Sequence, residues 1–407
     1  MAFCLTTLEG SFMCGIIGDA AQRQTLDYLV NGLRRRDYSG YGSAGAGLGS
    51  REGLSPENWA VSQEISEQVL ALASGIAAWD EGIPLNRKFD SIERIVAVGS
   101  GSSCNAALAA KVAFQEFARL PFEVVPAGEF KSSGRVLGPK VLLLAVSSTV
   151  EPAGTFAAVQ AALAAGSPIL VLTGAPDSAL AENADQVIAT QAGLECGPVS
   201  TKYHTSQLLN LLMLAIYLGR IRGGLTRERF ETLLRDARRL PGHVEGMLRQ
   251  DTFVRFLARK YQDGHWFAYM GRRYHAATAR EGALKMTEIG GLASEAWDVD
   301  DVKPGRLAIV DHRTVCVAVA PRGVGTEKTL SFLRDVRARG AIVTTVATDG
   351  DLRAADVSDH VLEIPTCEEP FSTILGIVPL QLLSFHRAVA LEREADKLAS
   401  PVKVGST

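Results

Sequence analysis

The chain is 407 residues long, 47% apolar and 21% charged, proportions of a soluble globular protein that exclude a long disordered, collagen-like or disulfide-dense polypeptide. Its 42 basic and 45 acidic residues leave a net charge of -3, so no whole-chain field attracts nucleic acid or an anionic membrane, and an anionic ligand must be met locally. The length argues for two or three domains.

Six cysteines at 4, 14, 104, 196, 316 and 367 are scattered, with no CxxC pair and no His/Cys run at zinc spacing. That pattern reads as free thiols in a reducing compartment. Apolar stretches such as 140–147 and 207–218 are shorter than the roughly 20 residues a bilayer requires. The N-terminus lacks the basic, apolar and cleavage regions of a secretory signal, so a cytoplasmic protein without membrane or nucleic-acid partners is expected.

In chain order, residues 46–60 are rich in Gly, Ser, Glu and Pro without apolar periodicity and read as a linker. Short apolar runs then predict strands at 95–100, 122–127, 140–147, 168–174 and 186–190, with helices at 103–119, 153–165 and 200–219. Residues 227–250 read as a charged helical connector broken by Pro241 and Gly242. A second series follows, with strands near 266–271, 314–321, 341–347 and 361–365 and helices at 275–289, 325–338 and 371–390. Residues 396–407 form a tail with little core content.

The two series share a grammar. From Gly99 to Ser147 is 48 residues and from Gly271 to Ala320 is 49, the signal of an internal duplication. Strands alternating with helices predict an α/β fold of two tandem parallel sheets flanked by helices, flavodoxin-like or Rossmann-like three-layer units. The implied division is 1–60, 61–240, 241–395 and 396–407.

Ligands of such sheets bind at the carboxyl ends of the strands. Ser100, Gly101, Ser102 and Ser103 follow the first strand and open a helix, offering N–H groups and hydroxyls to an anion such as phosphate. Cys104 stands where a dinucleotide fingerprint needs its third glycine, which argues against a nicotinamide site. Ser147, Ser148, Thr149 and Thr155 make a second hydroxyl cluster after the third strand. Ser200 and Thr201 open a further helix, where they cap it or bind.

Glu281, Lys285 and Glu288 fall on one helix face. On spacing alone this is a solvated salt-bridge face. A carboxylate beside an ammonium could also move a proton between adjacent sugar carbons. Acidic residues are not clustered at ligand spacing, so neither metal nor organic cofactor is expected.

Beginning at Met13-Cys-Gly-Ile-Ile-Gly18, continuing through Gly32 to Gly45, and resuming from Ser62 to the C-terminus, the sequence resembles the glucosamine-6-phosphate synthase family, the glutamine:fructose-6-phosphate amidotransferases. The later part is similar to that family's paired sugar-isomerase (SIS) domains. The resemblance implies a homodimer that binds a sugar phosphate or related anionic sugar. It places Glu288 on the proton-shuttling base and Lys285 on its charged neighbour. The 100–103 and 147–155 loops then hold the phosphate, and Ser200 and Thr201 contact sugar hydroxyls.

Three departures qualify it. Cys14 matches the glutaminase nucleophile, but thirteen residues precede it and the body of that domain is missing between Gly45 and Ser62, so residues 13–45 read as a remnant without glutamine hydrolysis. Pro304 replaces a ring-opening histidine, and Ser400 falls where a lysine is expected. Val150 and Pro152 replace the usual glycine and threonine of the second phosphate loop. Lys303, His204 and His275 are alternative proton carriers, each with a stronger reading as a surface or packing residue.

The expectation is an enzyme moving a proton between C1 and C2 of a ketose or aldose phosphate, with or without loss or addition of ammonia or an amine. The alternatives are an ammonia-dependent glucosamine-6-phosphate synthase and a catalytically silent sugar-phosphate-binding regulator.

Overall fold

A computed structural model of the chain describes residues 59–132, 136–148, 153–249, 251–302 and 304–391. The expectations for residues 1–58, for Thr149, Val150 and Pro152, for Lys303 and for Ser400 lie outside these.

A long helix, α1 (Trp59–Glu81), leads into the first unit: β1 (Arg94–Gly99), α2 (Ser102–Ala113), β2 (Phe122–Pro126), β3 (Val141–Ser147), α3 (Ala153–Ala164), β4 (Ile169–Thr173), the single turn α4 (Ala179–Glu182), β5 (Gln186–Ala189) and α5 (Lys202–Ile221). Three helices follow, α6 (Arg227–Ala237), α7 (Leu240–Leu248) and α8 (Asp251–Lys260). The second unit comprises β6 (Trp266–Gly271), α9 (Tyr274–Glu288), β7 (Ser294–Asp298), β8 (Thr314–Val319), α10 (Thr326–Ala338), β9 (Ile342–Thr348), α11 (Leu352–Val357), β10 (His360–Ile364) and α12 (Ser372–Ala390).

The duplication read from spacing is a duplication of topology. One sheet runs β2-β1-β3-β4-β5 and the other, read in the same sense, β7-β6-β8-β9-β10, with every pair parallel. The strands with the cleanest apolar runs are covered on both faces: β4 and β8 are buried throughout, and β1 and β3 nearly so. A central parallel strand under helices reads this way because both its faces meet apolar side chains.

Several details differ from expectation. The first helix ends at Ala113 and widens into a π-helical turn over Phe114–Ala118, closed by Arg119 in the left-handed region. Edge strand β7 was not anticipated: its sequence Ser-Glu-Ala-Trp-Asp buries Trp297 alone, so it lacks an apolar run. The connector is two helices, with Pro241 in the first turn of α7, where its missing N–H costs nothing. Helix α8 was not foreseen and packs on α12.

Helix α12 is long and apolar enough to cross a membrane, a stretch absent from the apolar segments weighed above, but 89% of its apolar window is buried inside the protein. It is the core helix of the second unit, packed on α8 and α9.

The two units are joined through their interiors. Helix α9 of the second packs on α2 of the first, and α12 reaches α1 and α5. Polar side chains stitch this seam: Gln68 Nε2 donates to Gln381 Oε1 at 2.9 Å, Thr205 donates to Gln68 Oε1, and Gln381 Nε2 donates to the Thr201 carbonyl at 3.4 Å. Buried amides that satisfy one another fix one relative placement of the helices, because any other leaves a polar group unpaired.

A candidate sugar-phosphate site between the two units

The turn from β1 into α2 is tight. Ser103 N–H donates to the Ser100 carbonyl at 3.1 Å, with Gly101 between them at φ 52° and ψ −124°, the torsions of a II′ turn that a β-carbon disfavours. Ser100 and Gly101 are exposed, while Ser102 and Ser103 are buried at the head of the helix. The helix therefore begins at the sheet's carboxyl edge, where a helix N-terminus favours an anion.

The register of β1 and β3, Val98 opposite Ala145, brings Ser147 and Ser148 to the same edge. Thr155 is buried, and its hydroxyl has no hydrogen-bond partner among the described residues.

The equivalent turn in the second unit shows what the first has kept open. Arg273 adopts φ 53° and ψ −118°, nearly the torsions of Gly101. It is held there by Glu116, by Glu369 at 3.9 Å and by the face of the Tyr274 ring. Arg272 pairs with Asp300. Ion pairs thus occupy the loop after β6, where the first unit has Ser100 to Ser103. A Gly101→Ala variant has no such compensation and is expected to lose about 1–3 kcal/mol to backbone strain, read as a lower urea midpoint; an unchanged midpoint would contradict the assigned torsion.

Helix α9 delivers the charged groups. Lys285 Nζ lies 2.6 Å from Glu288 Oε2, 3.3 Å from Glu281 Oε1 and 3.0 Å from Ser102 Oγ. Lys285 and Glu281 are fully buried, whereas the Glu288 side chain is 32% exposed. This corrects the salt-bridge-face reading of the spacing: the face is covered by α2 of the other unit, which periodicity within one helix does not reveal. Asn105 Nδ2 donates to Glu281 Oε2 at 2.8 Å.

Burial opposes each of these charges, and the partners decide the outcome. For Glu281, burial favours the neutral acid, but Lys285 and then His204 outweigh it and hold the carboxyl below its ordinary range. For Lys285, burial opposes the ammonium, yet Glu281 and Glu288 outweigh it and keep it protonated above the usual lysine range. For Glu288, burial wins over the pull of Lys285 and raises the carboxyl above its ordinary value. The cluster is therefore a fixed ion pair with a stronger-than-normal carboxylate base at its exposed end.

His204 is part of this cluster. Its Nδ1 lies 3.1 Å from the Ser102 carbonyl and 3.8 Å from Glu281. A carbonyl only accepts, so Nδ1 carries a proton, and burial lowers the ring's pKa against the pull of Glu281. Its role is to pack and orient, as the stronger sequence reading had it. His275 is also a packing residue: it is buried, its Nε2 is 3.1 Å from Ser372 Oγ, and burial drops its pKa to about 3.

Ser200 and Thr201 precede α5 without capping it. Thr201 N–H and Oγ–H instead donate to Glu195 Oε1 at 2.8 and 3.1 Å, and Ser200 Oγ is buried and unpaired. Burial, in the first place, raises the Glu195 carboxyl, and Lys285 is close enough to oppose that shift. Asn105 and Glu195 were not recognised from sequence as site residues, because each acquires its role from a partner distant in the chain or across a loop.

A doubled parallel sheet, with a hydroxyl-bearing loop from one copy meeting a buried acid–lysine–acid cluster from the other, defines a tandem α/β protein with a candidate ligand site at the seam. The SIS domain matches residues 88–217 and 263–391, and the chain belongs to the SIS-domain family. It is 35% identical over 306 residues to the glutamine–fructose-6-phosphate aminotransferase [isomerizing] of Thermus thermophilus, covering 75% of this chain and 51% of that protein. The Methanosarcina mazei protein of the same name is 31% identical over 345 residues, 82% of this chain and 56% of that one. The chain thus spans about half the length of the curated relatives it matches.

Among solved structures, the C-terminal domain of glucosamine-fructose-6-phosphate aminotransferase from Francisella tularensis superposes with a TM-score of 0.78 at 28% identity, covering 84% of this chain and 98% of that one. Tagatose-6-phosphate ketose/aldose isomerase from Escherichia coli shares the fold, with a TM-score of 0.69 at 19% identity over 90% of this chain and 100% of that one.

Proposed function

We propose that the protein is an isomerase-type enzyme that moves a proton between C1 and C2 of a sugar phosphate or phosphorylated amino sugar, without hydrolysing glutamine. The observation that carries this reading is the Lys285 ammonium, in contact with both the half-exposed Glu288 carboxylate and Ser102 of the anion loop. The first-unit loops hold the phosphate, with Ser100 to Ser103, Ser147, Ser148, Thr149 and Thr155 supplying N–H groups and hydroxyls, while Ser200 and Thr201 meet the sugar.

Glu288 then takes the proton from the carbon next to the carbonyl, and the electron pair moves onto the carbonyl oxygen as an enediolate. The same carboxylic acid returns the proton to the former carbonyl carbon, the other oxygen becomes the carbonyl, and the hydroxyl proton it loses passes to the enediolate oxygen. Lys285, held charged by Glu281, stabilises the developing negative charge without giving up its own proton. When the substrate carries nitrogen, the same shift passes through an enamine to an imine, which water hydrolyses to release ammonia or an amine, or which forms with loss of water when one is added.

The base must be ionised, so activity is expected to fall as the pH drops through the raised pKa of Glu288, placing the acid limb of kcat/KM above the ordinary carboxylate value of 4.5. A pH–rate profile on fructose 6-phosphate with and without ammonium reads both points. Product formed only with ammonium selects the aminating version, and an acid limb at or below 4.5 would remove Glu288 from the role of base.

A silent sugar-phosphate sensor is the second reading, favoured by Pro304 at the histidine position of the resemblance. Tight binding of a sugar phosphate without any exchange of its C1 or C2 hydrogens would select it.

A further inference from the structure

Between β5 and α5 the chain runs from Thr190 to Ser200 without helix or strand, and this segment brings Glu195 and Ser200 to the site. It is anchored from α1, more than a hundred residues earlier. Glu64 Oε1 accepts hydrogen bonds from two successive backbone N–H groups, those of Cys196 and of Gly197, the latter at 2.7 Å. Lys202 Nζ adds a second tie, bonding the Leu194 carbonyl at 2.5 Å and Glu67 of α1 at 2.6 Å.

Glu64 is buried, with 4% of its surface exposed, and its second oxygen, Oε2, is buried without a hydrogen-bond partner. A β-carbon on Gly197 would sit 2.5 Å from that oxygen, so any larger residue there would push the Glu64 carboxyl aside.

We propose that Glu64 is a positioning residue of the site: through the N–H groups of Cys196 and Gly197 it fixes the 190–200 segment, and with it the Glu195 carboxyl that Thr201 bonds. The inference rests on the placing of the site under the proposed function, but its geometry is a property of the free protein.

The carboxyl is also placed to make the anchor pH-dependent. Facing it are Glu195 from the segment itself, Lys202 and Tyr203 from α5, and Cys196, with Glu67 further along α1. Burial and then the charge of Glu195 raise the Glu64 carboxyl to about 7, against the two N–H groups and Lys202. A folded-state pKa above the ordinary 4.5 means that the folded segment holds the proton more tightly than the unfolded chain. The anchor is therefore strongest with Glu64 protonated, the proton on Oε2 and both N–H groups on Oε1. Its contribution is complete below the ordinary 4.5, is lost as the pH rises from there to about 7 and two carboxylates come to face each other, and changes no further above that.

Hydrogen–deuterium exchange of the peptides covering 190–201 tests this on the substrate-free protein, at pH 6 to 9 and corrected for intrinsic exchange. In the wild type, protection of these peptides is expected to fall about tenfold in all from pH 6, most of it by pH 7.5, and then to level off once both folded and open forms are ionised, while peptides of β1 and β3 hold steady. Glu64→Gln keeps an accepting oxygen and has no charge, so its protection is expected to stay level to pH 9. Glu64→Ala is expected to expose the segment at every pH. Protection that is level from pH 6 to 9 in the wild type, or that falls equally in Glu64→Gln, overturns the proposal, as does a Glu64→Ala segment as protected as the wild type. Should the alanine variant not fold, the wild-type and glutamine profiles decide alone. No substrate enters the experiment, so a failed catalytic reading and a failed anchor give different results.

Discussion

Replacing Glu288 by Gln is expected to abolish proton exchange at the sugar carbons, a loss of about 10²- to 10⁴-fold in kcat, the usual contribution of a positioned general base. The exchange is uninformative in a variant that misfolds, and glutamine avoids that. Its amide has the shape of the carboxyl, and its oxygen still accepts from Lys285 Nζ, the 2.6 Å contact of the native side chain. Glu288 is partly exposed, so its loss leaves no buried charge unpaired: Lys285 keeps Glu281. Substrate affinity is accordingly expected to change little while turnover collapses. Turnover within a few-fold of wild type, measured by product assay on the same sugar phosphate, would exclude Glu288 as the base.

Lys285→Met is expected to act on stability as well as on turnover. Lys285 and Glu281 are both completely buried, and removing one partner of a buried pair leaves the other as an uncompensated charge, at a cost of about 3–5 kcal/mol. The pH dependence gives the prediction a sign. In the wild type the Glu281 carboxyl is depressed below its ordinary value, so its contribution is complete above about 4.5 and lost as the pH falls through the folded-state pKa.

Without the ammonium the largest influence opposing burial is gone, and burial is expected to prevail over His204 and the hydrogen bonds of Asn105 and Ser102, so the variant is expected to be weakest at neutral pH and to regain stability as the pH falls toward 4.5. Urea unfolding at pH 7.5 and 5.5 checks both statements. Adding Glu281→Gln to the variant is expected to restore part of the loss at pH 7.5. A single-variant loss below about 1 kcal/mol at pH 7.5, with no pH dependence, would contradict the pair as described.

Most of the scaffold was legible because parallel strands under helices are apolar along their whole length. The runs at 95–100, 140–147 and 168–174 became β1, β3 and β4 with boundaries shifted by one residue or so. Edge strand β7 was hidden because an edge needs little burial, and its only buried residue is Trp297. The helix carrying Glu281, Lys285 and Glu288 was legible, but its environment was not. Spacing puts three charges on a face without saying what covers it, and the cover is α2, whose Ser102 lies 183 positions earlier. Glu64 shows the same limit: within α1 it is one acid among several, and its oxygen finds its N–H donors 132 and 133 residues further on.

The most direct test of the central claim is proton NMR in deuterated buffer, following the C1 and C2 hydrogens of fructose 6-phosphate, glucose 6-phosphate and glucosamine 6-phosphate with and without ammonium. The wild-type protein is expected to exchange or interconvert at least one of the three at those carbons, and Glu288→Gln to leave it untouched. Silence of the wild type toward all three sugars, with binding retained, would contradict a working proton shuttle at Glu288.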